Sequence, residues 1–212
     1  MIELNNIRFI STVPDPHLAQ PIRTGNLNGY PFIMNTGKCY FYEDNTTGKC
    51  EQAELVQYTA NAFCTRSEES ILRCCMSWGY TGCMFIVERK ANGSLIAYHL
   101  TLPGGETSKK NKIAMSYYIY TEIINHQSSF WGITPTLLFN PNKLPEKMWA
   151  GKDENNKFRT VMAISDNLKN MVVVKAVYAN TYPNIIFEVN EIINVGNNRL
   201  DNWDLFRYLQ QG

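Results

Sequence analysis

The sequence lacks any hydrophobic run long enough to cross a membrane, and its first residues lack the basic and apolar stretch of a cleavable signal. It also lacks an excess of charge, because 20 basic residues balance 19 acidic ones to a net charge of +1. We therefore expect no membrane span and no general affinity for nucleic acid. A cytoplasmic location, or secretion without a cleavable signal, is the corresponding expectation.

Metal-binding spacings are missing as well. None of the six cysteines lies in a Cys-x-x-Cys pair, so we predict no metal ion and no cofactor. In an oxidising compartment disulfides are possible among four of them, namely Cys39, Cys50, Cys64 and Cys74. In a reducing cytosol all six stay thiols, which better suits the chemistry that the rest of the sequence indicates.

The most informative pattern is a hairpin in the middle of the chain. Strand-forming residues at 84–88 and 95–100 flank the turn signal Ala91-Asn92-Gly93. If Gly93 takes the left-handed position of a three-residue loop, Lys90 pairs with Ser94. The turn thus predicts the register of the whole hairpin.

This register brings together the residue types of a nucleophilic site. Cys83 faces Thr101 and His99 faces Phe85, all on one side, because side chains alternate along a strand. Cys83 and His99 become diagonal neighbours, roughly 7–8 Å apart along the backbone. A cysteine thiol is a weak nucleophile until a base takes its proton, and His99 is positioned to be that base.

The residues around the pair suggest further roles. Ser77 is placed to orient His99, and Gly82 lets an acyl group approach the Cys83 amide, which would donate to an oxyanion. The predicted catalytic residues are Cys83, His99 and Ser77, and those predicted to line the substrate and oxyanion subsite are Gly82, Thr81 and Thr101.

Residues 77–103 resemble the chemoreceptor glutamine deamidases. In that family a hydroxyl residue lies six before the cysteine and the histidine begins a His-x-x-Leu-Pro run, here Ser77, Cys83 and His99-Leu100-Thr101-Leu102-Pro103. The triplet Thr81-Gly82-Cys83 is more similar to the Ser-Gly-Cys of deamidating toxins of the cytotoxic necrotizing factor and Burkholderia lethal factor types. Only Ser77, Cys83 and His99 carry over from these families.

The resemblance implies an α+β sandwich fold and hydrolysis of a glutamine side chain to glutamate on a protein target. It favours a bacterial toxin or effector delivered to a host cytosol, with a host GTPase or translation factor as substrate. We expect a monomer. The same acyl chemistry suits a cysteine protease or a transglutaminase, and the alternative from another class is a secreted, virulence-associated binding module without enzymatic activity.

The remaining patterns predict a single domain over residues 1–212, with an irregular N-terminal arm at 1–35 that is rich in proline, asparagine and glycine. Both faces of the hairpin are apolar, so we expect a β-sandwich of mixed or antiparallel sheets with flanking helices. Helices are predicted within residues 50–75, including one capped by Ser67-Glu68-Glu69-Ser70, and at the end over residues 200–209. The predicted later strands lie at residues 114–124, 160–164, 171–178 and 185–195.

Several other residues need an interpretation. Asp166, Glu106 or Asp201 are alternative partners for His99 in a papain-like arrangement. Trp131 and Trp149 are predicted to pack in the core, whereas an exposed recognition surface is the alternative. The residues predicted to lie in ordinary loops are His17, His126 and the basic cluster Lys109-Lys110-Asn111-Lys112.

Overall fold

The computed structural model describes residues 9–13, 23–27, 29–34, 36–42, 50–59, 62–139, 149, 151–179 and 185–211. Within these residues the chain forms fourteen strands, three α-helices and a 3-10 turn at Gly196–Asn198. The strands are β1 (Phe9–Val13), β2 (Arg23–Leu27), β3 (Tyr30–Met34), β4 (Thr36–Tyr42), β5 (Cys50–Val56), β6 (Cys64–Arg66), β7 (Cys74–Trp78), β8 (Met84–Arg89), β9 (Leu95–Leu100), β10 (Ser129–Ile133), β11 (Phe158–Asp166), β12 (Met171–Ala179), β13 (Ile185–Asn194) and β14 (Leu200–Asp201). The helices are α1 (Gly105–His126), α2 (Pro135–Phe139) and α3 (Asn202–Gln210).

The described strands form two mixed sheets. The first closes on itself in the order β1-β13-β12-β11-β7-β5-β4, and the second runs β14-β10-β8-β9-β6-β3-β2. Strand β5 runs parallel to β7, and β3 runs parallel to β6, while the other pairs are antiparallel. The structure confirms the predicted α+β class and a sandwich-like arrangement of two sheets with helices.

Three apolar clusters separate the layers. One lies inside the closed first sheet and includes Met76. A second fills the space between the two sheets, where Phe85 and Ala97 of the second sheet share a cluster with Cys75 of the first. The third lies between the second sheet and helices α1 and α3, and Tyr98 belongs to it. Each strand of the β8–β9 hairpin therefore buries both faces, in agreement with its continuous apolar sequence.

The hairpin has the predicted register. The Lys90 amide donates to the Ser94 carbonyl at 2.9 Å, and Gly93 is left-handed with φ 86°. Phe85 lies opposite His99, as expected from a three-residue loop ending in a left-handed glycine. The local turn chemistry thus fixes which residues face the space between the sheets.

The helices predicted within residues 50–75 are wrong, because this segment forms β5, β6 and β7. Both faces of β7 are buried: Cys74 and Met76 face the inside of the first sheet, and Cys75 faces the second sheet. A strand covered on both sides has a continuous apolar run, which periodicity alone does not distinguish from a buried helix. The Ser67-Glu68-Glu69-Ser70 segment caps no helix, and the Ser67 hydroxyl instead bonds the Ala97 amide at 2.9 Å.

The strand predicted at residues 114–124 is also wrong, because it lies within α1. Its isoleucines and tyrosines favour strands intrinsically, but tertiary packing overrides that preference. The basic cluster at 109–112 lies in the first turns of the same helix, not in a loop. The buried positions recur at helical spacing, and they are Asn111, Ala114, Met115, Ser116, Tyr118, Ile119 and Glu122.

Elsewhere the predictions and the structure agree more closely. The strands predicted at 160–164, 171–178 and 185–195 correspond to β11, β12 and β13, and the closing helix corresponds to α3. The described part of the predicted irregular arm instead contains β1, β2 and β3, because backbone pairing with β4, β13 and β6 incorporates it into the sheets. No helix among the described residues is long and apolar enough to span a membrane.

Candidate active site

A hydrogen bond between the two sheets is the centre of the candidate site. Ser77 on β7 belongs to the first sheet and His99 on β9 to the second, and both are fully buried. The Ser77 Oγ and the His99 Nδ1 are 2.9 Å apart. The serine that the sequence analysis placed beside His99 therefore contacts the imidazole directly, at a nitrogen that leaves Nε2 on the other side of the ring.

Two tyrosines that the sequence analysis missed enclose the imidazole. The Tyr80 ring stacks on His99 with centroids 4.3 Å apart and an angle of 5° between the planes. The Tyr58 ring is tilted against His99 at 5.2 Å and is 45% exposed, so this ring borders on solvent. The only sign of Tyr80 in the sequence was its position between Ser77 and Cys83. Its stacking on His99 could not be predicted, because that contact depends on how the two sheets face each other.

The burial of His99 determines its protonation. Desolvation lowers the pKa of His99 from 6.5 to about 3, so the ring is neutral at neutral pH. A neutral imidazole has one N–H and one acceptor nitrogen. If Nδ1 donates to Ser77, Nε2 is the acceptor, and no described residue hydrogen-bonds to it. With the proton on Nδ1, the site holds a buried acceptor nitrogen without a partner in the described chain.

Tyr80 is itself buried near Ser77. No hydrogen bond of standard geometry with a described residue reaches the Tyr80 hydroxyl, although the Ser77 side chain lies close enough to lower its pKa in part. The larger effect is burial, which raises the pKa of Tyr80 well above its usual value and keeps the phenol neutral. A neutral aromatic face parallel to the imidazole favours the ring when it carries a positive charge.

Cys83 directly precedes β8 and belongs to the cluster between the sheets. Burial raises the pKa of the Cys83 thiol, and a hydrogen bond from the backbone amide of Leu102 offsets part of this increase. The Leu102 contact agrees with the predicted proximity of Cys83 to Thr101, one residue earlier in the chain. An activated thiol was expected from the sequence. Burial instead disfavours both the Cys83 thiolate and the His99 imidazolium, so both side chains are neutral in the resting protein.

The bend before Cys83 leaves the Gly82 backbone open, while the Cys83 side chain is buried. Thr81 is exposed and Gly82 is half-buried. Gly82 has φ 153°, and a Cβ built on it would meet no atom within 4 Å. The predicted approach of an acyl group to the Gly82–Cys83 peptide stays a prediction, for which this backbone leaves space.

Two threonine hydroxyls, one on β6 and one directly after β9, extend the polar part of the site. Thr65 lies opposite His99 on the neighbouring strand β6. The Oγ1 atoms of Thr65 and Thr101 are buried without a hydrogen-bond partner among the described residues. The Thr101 backbone is fixed on both sides, because its amide donates to Phe63 at 3.1 Å and its carbonyl accepts from Asn111 Nδ2 at 2.6 Å. Only Thr101 of these two was predicted.

The alternative partners of His99 do not contact it. Asp166 instead closes the β11–β12 turn, where one carboxylate oxygen accepts from the amides of Leu168 and Asn170 at 2.8 Å each. Glu106 pairs with Lys109, and Asp201 pairs with Arg199. The papain-like arrangement is therefore wrong, and a hydroxyl takes the orienting position.

The other residues singled out from the sequence pack in the core or lie at the end of a helix, except for one that is not described. Trp131 is fully buried and its Nε1 donates to Ser165 Oγ at 2.7 Å. Trp149 packs against the cluster between the sheets, so core packing holds for both tryptophans. His126 is the last residue of α1 and contacts Glu122 at 3.0 Å, while His17 lies outside the described residues.

The described cysteines bear on the predicted disulfides and on metal binding. Cys64 is a buried free thiol, which removes one of the four disulfide candidates. The side chain of Cys50 lies outside the described part of the structure. In the described ranges no three or more histidine, cysteine, aspartate or glutamate residues are grouped to hold a metal ion.

Comparison of the chain with protein-family models, with curated proteins and with solved structures found no match in any of the three. The geometry of the site and the resemblance of residues 77–103 are therefore the features that bear on function.

Proposed function

We propose that this protein is a cysteine-dependent amidohydrolase that converts a glutamine side chain of a target protein to glutamate. The resemblance of residues 77–103 favours a bacterial toxin or effector, and a host GTPase or translation factor as the target. The single observation that carries the proposal is the 2.9 Å contact between Ser77 Oγ and His99 Nδ1, with Nε2 buried and unpartnered among the described residues. An unpaired buried acceptor is costly in a core and useful in a proton transfer, and Cys83 belongs to the cluster between the same two sheets.

The first step starts from a neutral pair. Cys83 Sγ attacks the carboxamide carbon, and its proton moves to His99 Nε2 as the carbon–sulfur bond forms. The imidazolium forms only at this stage, and the stacked Tyr80 ring and the Ser77 oxygen stabilise it. The amide of Cys83, beside the open Gly82 backbone, donates to the oxyanion.

The second half returns the enzyme to its starting state. His99 gives its proton to the departing nitrogen, and ammonia leaves a thioester on Cys83. A water molecule then attacks the thioester carbon while Nε2 takes its proton, and the Cys83 sulfur leaves and is reprotonated. Overall one amide and one water become one carboxylic acid and one ammonia, without a redox step.

The decisive experiment measures ammonia release and product mass with an extended glutamine-containing peptide and with a host-cell lysate. The wild-type protein should release ammonia and add the small mass of a deamidation without new chain ends. Cys83→Ser should abolish both while retaining the wild-type circular dichroism spectrum. Retention of activity by this variant contradicts the assignment.

The same assays separate the related chemistries. New chain ends would identify a protease, and attachment of an added primary amine would identify a transglutaminase. A protein with none of these activities, and with Cys83 alkylation indifferent to His99→Ala, would support a binding module. Because burial raises the pKa of Cys83, alkylation by iodoacetamide in the resting protein should increase only above the ordinary thiol range.

A further inference from the structure

The outer face of α1 carries large apolar side chains that the protein does not bury. They form a single row, here called the α1 stripe: Ile113 (37% exposed), Tyr117 (57%), Tyr120 (48%) and Ile124 (55%). The opposite face of the helix packs on the second sheet through residues such as Met115 and Ile119. The stripe is therefore additional to the face that holds the helix on the fold.

A neighbouring tryptophan enlarges this surface. Trp203 at the start of α3 is 41% exposed, and its ring lies 6.1 Å from that of Tyr120. Together the five side chains expose about 500 Å² of mostly apolar surface, comparable to the largest patches on ordinary monomers, which often mark interaction sites. Scattered single hydrophobic residues on a surface need no explanation, but a continuous row along one helix does.

The spacing of the stripe indicates a helix as its partner. Its members are separated by four, three and four residues, the alternation that keeps apolar side chains on one seam in packed helix pairs. The order Ile, Tyr, Tyr, Ile is the same from either end. A two-fold symmetric dimer requires such a self-complementary patch, in which one residue contacts a second and the second contacts the first.

We propose that the α1 stripe is the interface of a homodimer in which the two α1 helices pack antiparallel. Ile113 then contacts the partner's Ile124, and Tyr117 contacts the partner's Tyr120. The proposal replaces the monomer expected from the sequence and does not depend on the activity proposed above.

The charges around the stripe agree with this arrangement. Between Ile113 and Ile124 the one charged residue is Glu122, which is buried and bonds Lys90 Nζ at 2.6 Å. The seam is thus free of charge at its centre, as the cores of protein interfaces are. Antiparallel packing places Lys109 near the C-terminal end of the partner helix, whose carbonyls carry partial negative charge, whereas parallel packing would bring the lysines of both chains together.

The area predicts a moderate affinity. Two stripes with their tryptophans bury about 1,000 Å² in total, at the lower end of specific interfaces. Such an interface is compatible with a dissociation constant in the micromolar range, so the monomer–dimer equilibrium should be visible over roughly 1–200 μM protein.

The first test is sedimentation equilibrium of the full chain over that concentration range. The wild type should shift from monomer to dimer. Tyr117→Glu places a charge at the centre of the seam and should raise the dissociation constant by about 100-fold or more. Ile71→Glu is the matched control, because Ile71 is 93% exposed and lies outside α1, and it should leave the equilibrium unchanged.

A charge-pair experiment tests the orientation. Ile113→Lys alone and Ile124→Glu alone should each weaken the dimer, whereas the double variant should recover at least about 10-fold of the affinity lost, because each new lysine faces a new glutamate across the antiparallel seam. In a parallel dimer the double variant would place like charges together and weaken association further. These residues are exposed, so an unchanged melting temperature checks that the variants fold.

Three results overturn the proposal. One is a wild type that stays monomeric at the highest concentration, and another is a dimer that Tyr117→Glu does not weaken. The third is a monomer that instead sediments with vesicles of anionic and neutral phospholipid in a manner that requires Tyr117, which would make a membrane surface the partner of the stripe.

Discussion

Replacing Ser77 by alanine should show how far the inter-sheet hydrogen bond determines both stability and chemistry. Ser77 and His99 are fully buried and their side chains are 2.9 Å apart. Ser77→Ala leaves His99 Nδ1 without a partner in a buried site, which should lower the free energy of unfolding by about 1–3 kcal/mol. For a chain of this length the melting temperature should fall by roughly 2–4 °C for each kcal/mol.

The effect on chemistry should be larger than the effect on stability. Without the Ser77 oxygen nothing selects the tautomer with the proton on Nδ1, so Nε2 is no longer held as the acceptor for the Cys83 proton. We expect kcat for ammonia release to fall by about 100-fold or more with little change in KM, because the lost interaction concerns the transition state. Ser77→Thr retains the hydroxyl and should recover most of the activity.

A double-mutant cycle with His99→Gln measures the interaction directly. Urea unfolding of the wild type, both single variants and the double variant should give a coupling free energy of about 1 kcal/mol or more. Asp166→Asn is the matched control for the rejected papain-like arrangement, and it should leave kcat unchanged. A coupling near zero, or equal losses of kcat in the Ser77 and Asp166 variants, would refute the reasoning.

The remaining predictions concern three other buried groups. Tyr80→Leu removes the ring stacked on His99 and should lower kcat about 10-fold, whereas Tyr80→Phe keeps the face and should stay near wild type, as ammonia release can show. Because burial lowers the pKa of His99 from 6.5 to about 3, its neutral form stabilises the fold fully above pH 6.5, and this contribution is lost as pH falls toward 3. Urea unfolding at pH 7 and pH 5 should therefore show about 2 kcal/mol more acid destabilisation for the wild type than for His99→Gln. Glu88→Leu should cost about 3–5 kcal/mol of unfolding free energy, since it removes the carboxylate that accepts from Tyr98 and Ser128 and leaves Lys90 with Glu122 alone, while the exposed Glu106→Gln should change it by less than about 0.5 kcal/mol.

The hairpin was predictable because its determinants are local. A three-residue turn with Gly93 in the left-handed position fixes the register, and the register fixes the face on which His99 lies. Ser77 was predictable only through the resemblance of its spacing to known deamidases, since no local rule places β7 opposite β9. The contact across the sheets is a tertiary outcome of the sandwich.

The wrong secondary-structure predictions fall where a strand is buried on both faces, or where intrinsic propensity and tertiary packing favour different structures. Residues 53–56 and 74–78 lie in strands covered on both sides, so their apolar residues matched a helical period by chance. In α1 the opposite happened, because the tyrosines and isoleucines that favour strands line both the buried face and the exposed stripe. Because apolar residues line both faces and some buried positions are polar, periodicity alone does not indicate this helix.

The two faces of the β8–β9 hairpin contact different layers of the fold, because successive side chains of a strand point to opposite faces. Phe85 and His99 point between the sheets, whereas Glu88 and Tyr98 point toward α1. On the helix side the Glu88 carboxylate accepts from Tyr98 at 2.6 Å and from Ser128 at 2.7 Å, so its buried charge is fully engaged.

The fully hydrogen-bonded Glu88 carboxylate and the partly hydrogen-bonded His99 imidazole illustrate two uses of buried polar groups. Glu88 has partners for both oxygens, and such a group fixes the position of a helix on a sheet. His99 has a partner at Nδ1, while no described residue pairs with Nε2, a cost of about 1–3 kcal/mol that packing alone does not require. A fold that satisfies one buried group on a hairpin and leaves the other half-satisfied matches what the proposed reaction requires, because Nε2 would then accept a proton only while the substrate reacts.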